Sequence, residues 1–246
     1  MITIDTLLMG AGIILIASFV QGLTSFGFAL IALPLLSLFL PIQRVVPMIV
    51  ILSMLICLLV LGSVYRDTNI RKIGLLIIAS VAMAPVGTLF LLIISGSVLK
   101  IATGILITLF AVFLLSGRTI PIANEKAAYL SAGALSGLLS GSISVSGPPM
   151  ALMLSNQGMS KQMFRANLAL VGVILNGVTI ITFVYSGLID QEMSLYLGWM
   201  LPVMVIGTWI GVKAVNYLNE QKFKKYSLGL IILSGIWTLL AGLGVI

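Results

Sequence analysis

The sequence predicts an all-α integral membrane protein made of two inverted repeats, with about ten helical elements and short helix pairs broken or re-entrant at glycine-rich loops. Three observations lead there. Of 246 residues, 60% are hydrophobic and only 8% charged, with a mean hydropathy of +1.25. Soluble domains carry about 25% charged residues, so this chain cannot clothe its surface with charge. Apolar segments recur along its whole length, several approaching the roughly 20 residues a full span needs. A glycine- and serine-rich loop also occurs twice, and helix-breaking polar loops in corresponding places mark a repeated fold with a site where the copies meet.

Glycine, proline and charge divide the chain into elements near 5–21, 27–40, 44–64, 72–94, 98–115, 127–140, 147–156, 163–186, 194–217 and 223–244. The third, fourth, fifth, eighth, ninth and tenth reach or approach spanning length. The first, second, sixth and seventh read as short. They flank the two loops, so each pair is either a hairpin turning inside the membrane or two tilted short spans. The first ten residues, MITIDTLLMG, hold no Lys or Arg. They lack the basic start of a signal peptide and read as a retained first segment.

The stronger loop is Ser136 to Met150, SGLLSGSISVSGPPM. The weaker is Gln21 to Pro34, QGLTSFGFALIALP. Gly22, Leu23, Ser25 and Pro34 align with Gly137, Leu138, Ser140 and Pro149. Further on, Pro85 with Gly87-Thr88 resembles Pro202 with Gly207-Thr208, and Lys100 with Gly104 resembles Lys224-Lys225 with Gly229. The hydrophilic linker Gly117 to Lys126 separates a first repeat, 1–120, from a second, 121–246.

Basic residues orient the chain. By alternation, Arg66, Arg71, Lys72, Arg118, Lys126, Lys161, Arg165, Lys213, Lys222, Lys224 and Lys225 fall on one side, and only Arg44 and Lys100 on the other, with Asp5, Asp190 and Glu192. The first side is then cytoplasmic and both termini lie outside. Each half holds an odd number of crossings, so the second is upside down relative to the first. The net charge of +7 follows from this loop bias, and nucleic acid is not an expected partner.

Irregular backbone at membrane depth persists only where protein or a wet cavity satisfies it. Helices starting at such loops present free N–H groups and a partial positive charge. With serine hydroxyls added, they form an anion receptor that needs no metal or cofactor. Candidate substrate ligands are Gln21, Thr24, Ser25 and Gly27 in the first loop, and Ser140, Gly141, Ser142, Ser144, Ser146 and Gly147 in the second. Arg165 and Asn176 join them, because Arg165, Leu168, Gly172 and Asn176 share one helix face. For each serine or glycine, close helix packing is the plainer alternative. Arg165 also reads as a snorkelling anchor, and Asn176 as an interhelical hydrogen bond. The single Cys57 excludes an internal disulfide and reads as inert packing.

The chain has no histidine, and no acidic residue lies in a confident span, which argues against a carboxylate proton relay. GSISVSG lacks a Gly-x-Ser-x-Gly elbow, and a serine–histidine base is absent, so an intramembrane enzyme is disfavoured. A passive anion channel and a membrane scaffold remain as alternatives to a permease.

Gln21-Gly22-Leu23-Thr24-Ser25-Phe26-Gly27-Phe28 with Leu33-Pro34-Leu35-Leu36 resembles the first loop of the sulfite exporter TauE/SafE family of membrane permeases. Ser146-Gly147-Pro148-Pro149, Arg165-Ala166, Asn176 and Pro85-Val86-Gly87-Thr88 are similar to that family's later motifs. Ser25, Ser142, Ser144 and Ser146 stand where the family often has glycine. The resemblance implies transport of sulfite or organosulfonates such as sulfoacetate across a bacterial-type inner or plasma membrane. The expected partners are thus a small anionic substrate and the lipid bilayer; a homodimer is one assembly compatible with this plan.

Overall fold

The computed structural model describes residues 4–116, 124–155, 157–214, 217, 231–233 and 235–245. Among them are the helices α1 (Ile4–Thr24), α2 (Phe28–Leu36), α3 (Ile42–Val64), α4 (Ile70–Ile93), α5 (Gly96–Ser116), α6 (Glu125–Ile143), α7 (Gly147–Ser155), α8 (Lys161–Tyr185) and α9 (Gln191–Ala214). A 3-10 turn, Tyr65–Asp67, follows α3, and a further apolar helical stretch falls within 231–242. No strand occurs among the described residues. Six helices (α1, α3, α4, α5, α8 and α9) are long and apolar enough to cross a membrane. The core of the linker, Arg118, Lys222, Lys224, Lys225, Gly229 and the start of the tenth element lie outside the described residues.

Only two of the four elements read as short are so. α1 has 21 residues and α6 has 19, because the glycines and serines that seem to end them lie inside their last turns. α2 and α7 have nine each, about 14 Å of helix against a hydrocarbon core of about 30 Å. Each loop therefore joins a long helix to a half-helix.

Helix starts follow local chemistry. Asn69, Asn124 and Ser160 cap α4, α6 and α8, accepting from the amides of Lys72, Ala127 and Met163. These three starts share one end of the bundle with the exposed residues Arg66, Arg71, Lys72, Lys126 and Lys161. Asn167 holds that end together, accepting from the Asn69 amide at 2.9 Å. At the opposite end, Arg44 of α3 pairs with Asp190, just before α9, at 3.7 Å.

The order long helix, half-helix, long helix, long helix occurs twice, in α1–α4 and again in α6–α9. The spatial grouping differs from the chain order. α1 packs most extensively on α9, and α4 on α6. One unit therefore consists of α1, α2, α3 and α9, and the other of α6, α7, α8 and α4, with α3 against α8 between them. Glycines set these close approaches. A Cβ on Gly22 would lie 2.6 Å from the Thr208 carbonyl oxygen, and one on Gly141 would lie 2.6 Å from the Thr88 amide nitrogen. A Cβ on Gly172 would sit 2.6 Å from Cys57 Sγ, where α8 crosses α3.

These contacts also correct the repeat register. The sequence pairs Ser25 with Ser140, but Ser25 and Ser144 are the two non-glycine residues with left-handed φ among the described residues, +64° and +62°. Each follows or caps the last turn of its long helix, α1 or α6. Gly22 correspondingly matches Gly141. The slip is four residues, close to one helical turn, so both registers put small residues on the same helix face.

Candidate functional site between the two broken helices

The two loops meet. A Cβ on Gly147, the first residue of α7, would lie 3.0 Å from Phe26 Cβ, just before α2. Between them is a cavity enclosing about 490 Å³ of non-atom space, its open mouth included. The first unit lines it with Gln21, Ser25, Gly27, Ala29, Ser53 and Cys57. The second contributes Ser144, Ser146, Gly147, Leu168, Gly172 and Asn176. Neither unit encloses the cavity alone.

Several residues of the lining carry unpaired backbone donors. The first residues of a helix have no intrahelical acceptor. Gln21 Oε1 accepts from the Phe28 amide at 2.9 Å, a long-range cap for α2, whose N-cap Gly27 has no side chain to offer. The amides of Gly27, Ala29 and Leu30 have no hydrogen-bond acceptor among the described residues, and neither do those of Ser146 and Gly147. All five residues line the cavity. Such donors, backed by two helix N-termini, favour negative charge.

Arg165 lies behind this lining. Its side chain is buried, with 4% of the residue exposed. Nε donates to Ser25 Oγ at 3.1 Å, and Nη2 donates to the Gly22 carbonyl at 2.8 Å. It thereby caps the C-terminal turn of α1, where cations are favoured. On the other side, Ser144 Oγ donates to the Val46 carbonyl at 3.2 Å. Val46 and Arg165 each stand about one turn inside the start of their helix, α3 or α8.

The sequence candidates therefore divide. Gln21, Ser25, Gly27, Ser144, Ser146, Gly147 and Asn176 line the cavity. Thr24 turns to the backbone of Val20 and Phe26. Ser140 bonds Thr179 at 3.3 Å and Ser142 bonds the Leu138 carbonyl. Gly141 packs on α4, and Arg165 touches the cavity only through Ser25. The sequence reading leaves out Ser53 and takes Cys57 as inert packing, yet both line the cavity. Cys57 Sγ accepts a hydrogen bond from Gln21 Nε2 at 3.8 Å. In the corrected register Cys57 is the counterpart of Asn176, a pairing that the sequence register does not reveal.

The described residues include no cluster of metal-ligating side chains. With an arginine behind it, unpaired amides around it and hydroxyls on its wall, the cavity is chemically suited to an oxyanion. The family model described as "Sulfite exporter TauE/SafE" matches residues 10–238. The chain belongs to the TauE/SafE family. A protein of Cupriavidus necator, named "Probable sulfite/organosulfonate exporter TauE", is 25% identical over 234 residues, covering 92% of this chain and 88% of that protein. No solved structure matches the chain. Membership in TauE/SafE, a family of exporters, together with six helices long and apolar enough to cross a membrane among the described residues, makes this a multi-pass membrane transporter.

Proposed function

We propose that the protein is a secondary permease exporting small sulfur-containing anions, sulfite or organosulfonates such as sulfoacetate, by alternating access. The observation that carries this reading is the shared cavity, walled by both units, whose lining includes residues with unpaired amides at the starts of two half-helices. Ser25 and Ser146 supply hydroxyl donors, Asn176 an amide, and Arg165 a positive charge one layer back; the Ser144 hydroxyl joins them when its bond to Val46 breaks.

The reading takes 1–120 and 121–246 as oppositely oriented repeats in an inner membrane. The end bearing Arg66, Arg71, Lys72 and Lys161 is cytoplasmic, and both termini face outward. An anion leaving a negative interior gains about 2.3 kcal/mol per charge per 100 mV, so export needs no coupled ion.

The test is counterflow in vesicles containing the purified protein. Internal unlabelled sulfite or sulfoacetate should drive transient uptake of labelled solute, with saturation. Conductance that never saturates and shows no counterflow would instead make it a channel. No selective flux of any sulfur oxyanion would return it to the scaffold class.

A further inference from the structure

We infer that two opposed hydrogen-bonded ties gate the cavity: Arg165 on Ser25 and Gly22 toward the basic end, and Ser144 on Val46 toward the other. This rests on the alternating-access reading above and names the contacts that must break in turn.

Both ties cross from one spatial unit to the other. Arg165 and Ser144 belong to the unit of α6–α8 with α4, while Ser25, Gly22 and Val46 belong to the unit of α1–α3 with α9. Between the ties, α3 and α8 touch at Cys57 and Gly172, beside the cavity. Rocking about that contact parts the units at one end while pressing them together at the other. The Arg165 tie must break to open the basic end, and the Ser144 tie to open the opposite end.

The two ties are unequal. Arg165 makes two bonds from a charged fork, whereas Ser144 makes one neutral bond at 3.2 Å. Charge-assisted bonds are roughly twice as strong as neutral ones. The empty protein therefore holds its basic end shut more firmly than its other end. Ser25 lines the cavity while its Oγ accepts from Arg165. An anion with several oxygens that reaches Ser25 competes for the guanidinium and loosens the stronger tie. Arg165 thus acts first as a tie between the units and meets the anion only as that tie loosens.

Cys57 is the single cysteine in the chain and lines the cavity, so its labelling by a membrane-impermeant thiol reagent reports which end is open. Vesicles of each sidedness would be treated, with Cys57→Ser as the blank. Arg165→Ala should raise labelling from the Arg66–Lys161 face by about tenfold or more, and Ser144→Ala should raise labelling from the other face by about two- to tenfold. Ser25→Ala, which removes one of the two Arg165 bonds, should act in the Arg165→Ala direction but less, and serves if Arg165→Ala fails to fold. Equal changes from both faces, or none in any variant, overturn the gating assignment. This readout needs no substrate. Shifted labelling without sulfite flux would spare the gates and remove the substrate reading; counterflow without shifted labelling would do the reverse.

Discussion

Arg165 of α8 donates through Nε to Ser25 Oγ at 3.1 Å and through Nη2 to the Gly22 carbonyl at 2.8 Å, so a buried cation from the second half of the chain caps the first helix. Removing it leaves an orphan carbonyl and an unsupported left-handed serine. Arg165→Ala should lower stability by about 1.5–3 kcal/mol, measured by thermal unfolding in detergent. Arg165→Lys should recover only part of that, because an ammonium cannot reproduce the guanidinium fork. A lysine variant as stable as the parent would argue against the fork.

Gln21 connects folding to binding. Its Oε1 caps the Phe28 amide while the residue lines the cavity. Gln21→Leu deletes the cap and should cost about 0.5–2 kcal/mol of stability. Gln21→Glu retains an acceptor but adds a negative charge where the anion would sit. We expect it to fold, with affinity for sulfite or sulfoacetate reduced by about tenfold or more, read by ligand-induced thermal shift. Unchanged anion affinity in the glutamate variant would move the site elsewhere.

Asn176 offers a second probe of the same wall. Asn176→Asp introduces a carboxylate from the opposite unit and should weaken anion binding at neutral pH. Lowering the pH through the carboxylate range, about 4 when unperturbed, should restore it as the added charge is neutralised. A defect in Asn176→Asp that ignores pH would indicate lost packing rather than charge repulsion.

The glycine contacts make a stability prediction with an internal control. A Cβ at Gly137 would fall on the Ser80 carbonyl oxygen, and one at Gly22 on that of Thr208. Gly137→Ala and Gly22→Ala should each cost about 1–3 kcal/mol by overpacking. Gly62 lies within α3 with nothing near its would-be Cβ. Gly62→Ala should be neutral or stabilising by up to about 1 kcal/mol. Equal melting temperatures for all three variants would contradict the packing account.

Potential dependence tests the permease reading directly. If the substrate crosses as a monoanion without a coupled ion, 100 mV should sustain about a 50-fold equilibrium gradient. Accumulation in vesicles at a clamped diffusion potential measures it. A gradient indifferent to voltage would require a compensating ion.

Class and loop positions were legible because they rest on coarse signals: scarce charge, long apolar runs, and glycine with proline inside them. The helix ends near the loops were not. Gly137, Gly141, Ser140 and Ser142 look like breakers, yet α6 runs through all four, since close packing on α4 demands small residues there. Cys57 looked inert because a lone thiol in an apolar run carries no chemical signature; only the α3–α8 crossing puts it on the cavity wall. Arg165 and Asn176 share a helix face, but that face reaches the wall at Asn176 and its supporting layer at Arg165. Periodicity gives direction around a helix and nothing about depth.

The exchange of partners between units bears on how the protein is made. α1 leaves the ribosome before α9, yet the groove that receives Gly22 is formed by Thr208 and Gly211 of α9. Until then its glycine-lined flank must wait in lipid or against the insertion machinery. A polypeptide halted after α5 would leave α1 without its principal neighbour and α4 without α6. The early spans are not a self-sufficient building block; their packing waits for partners that translation supplies later.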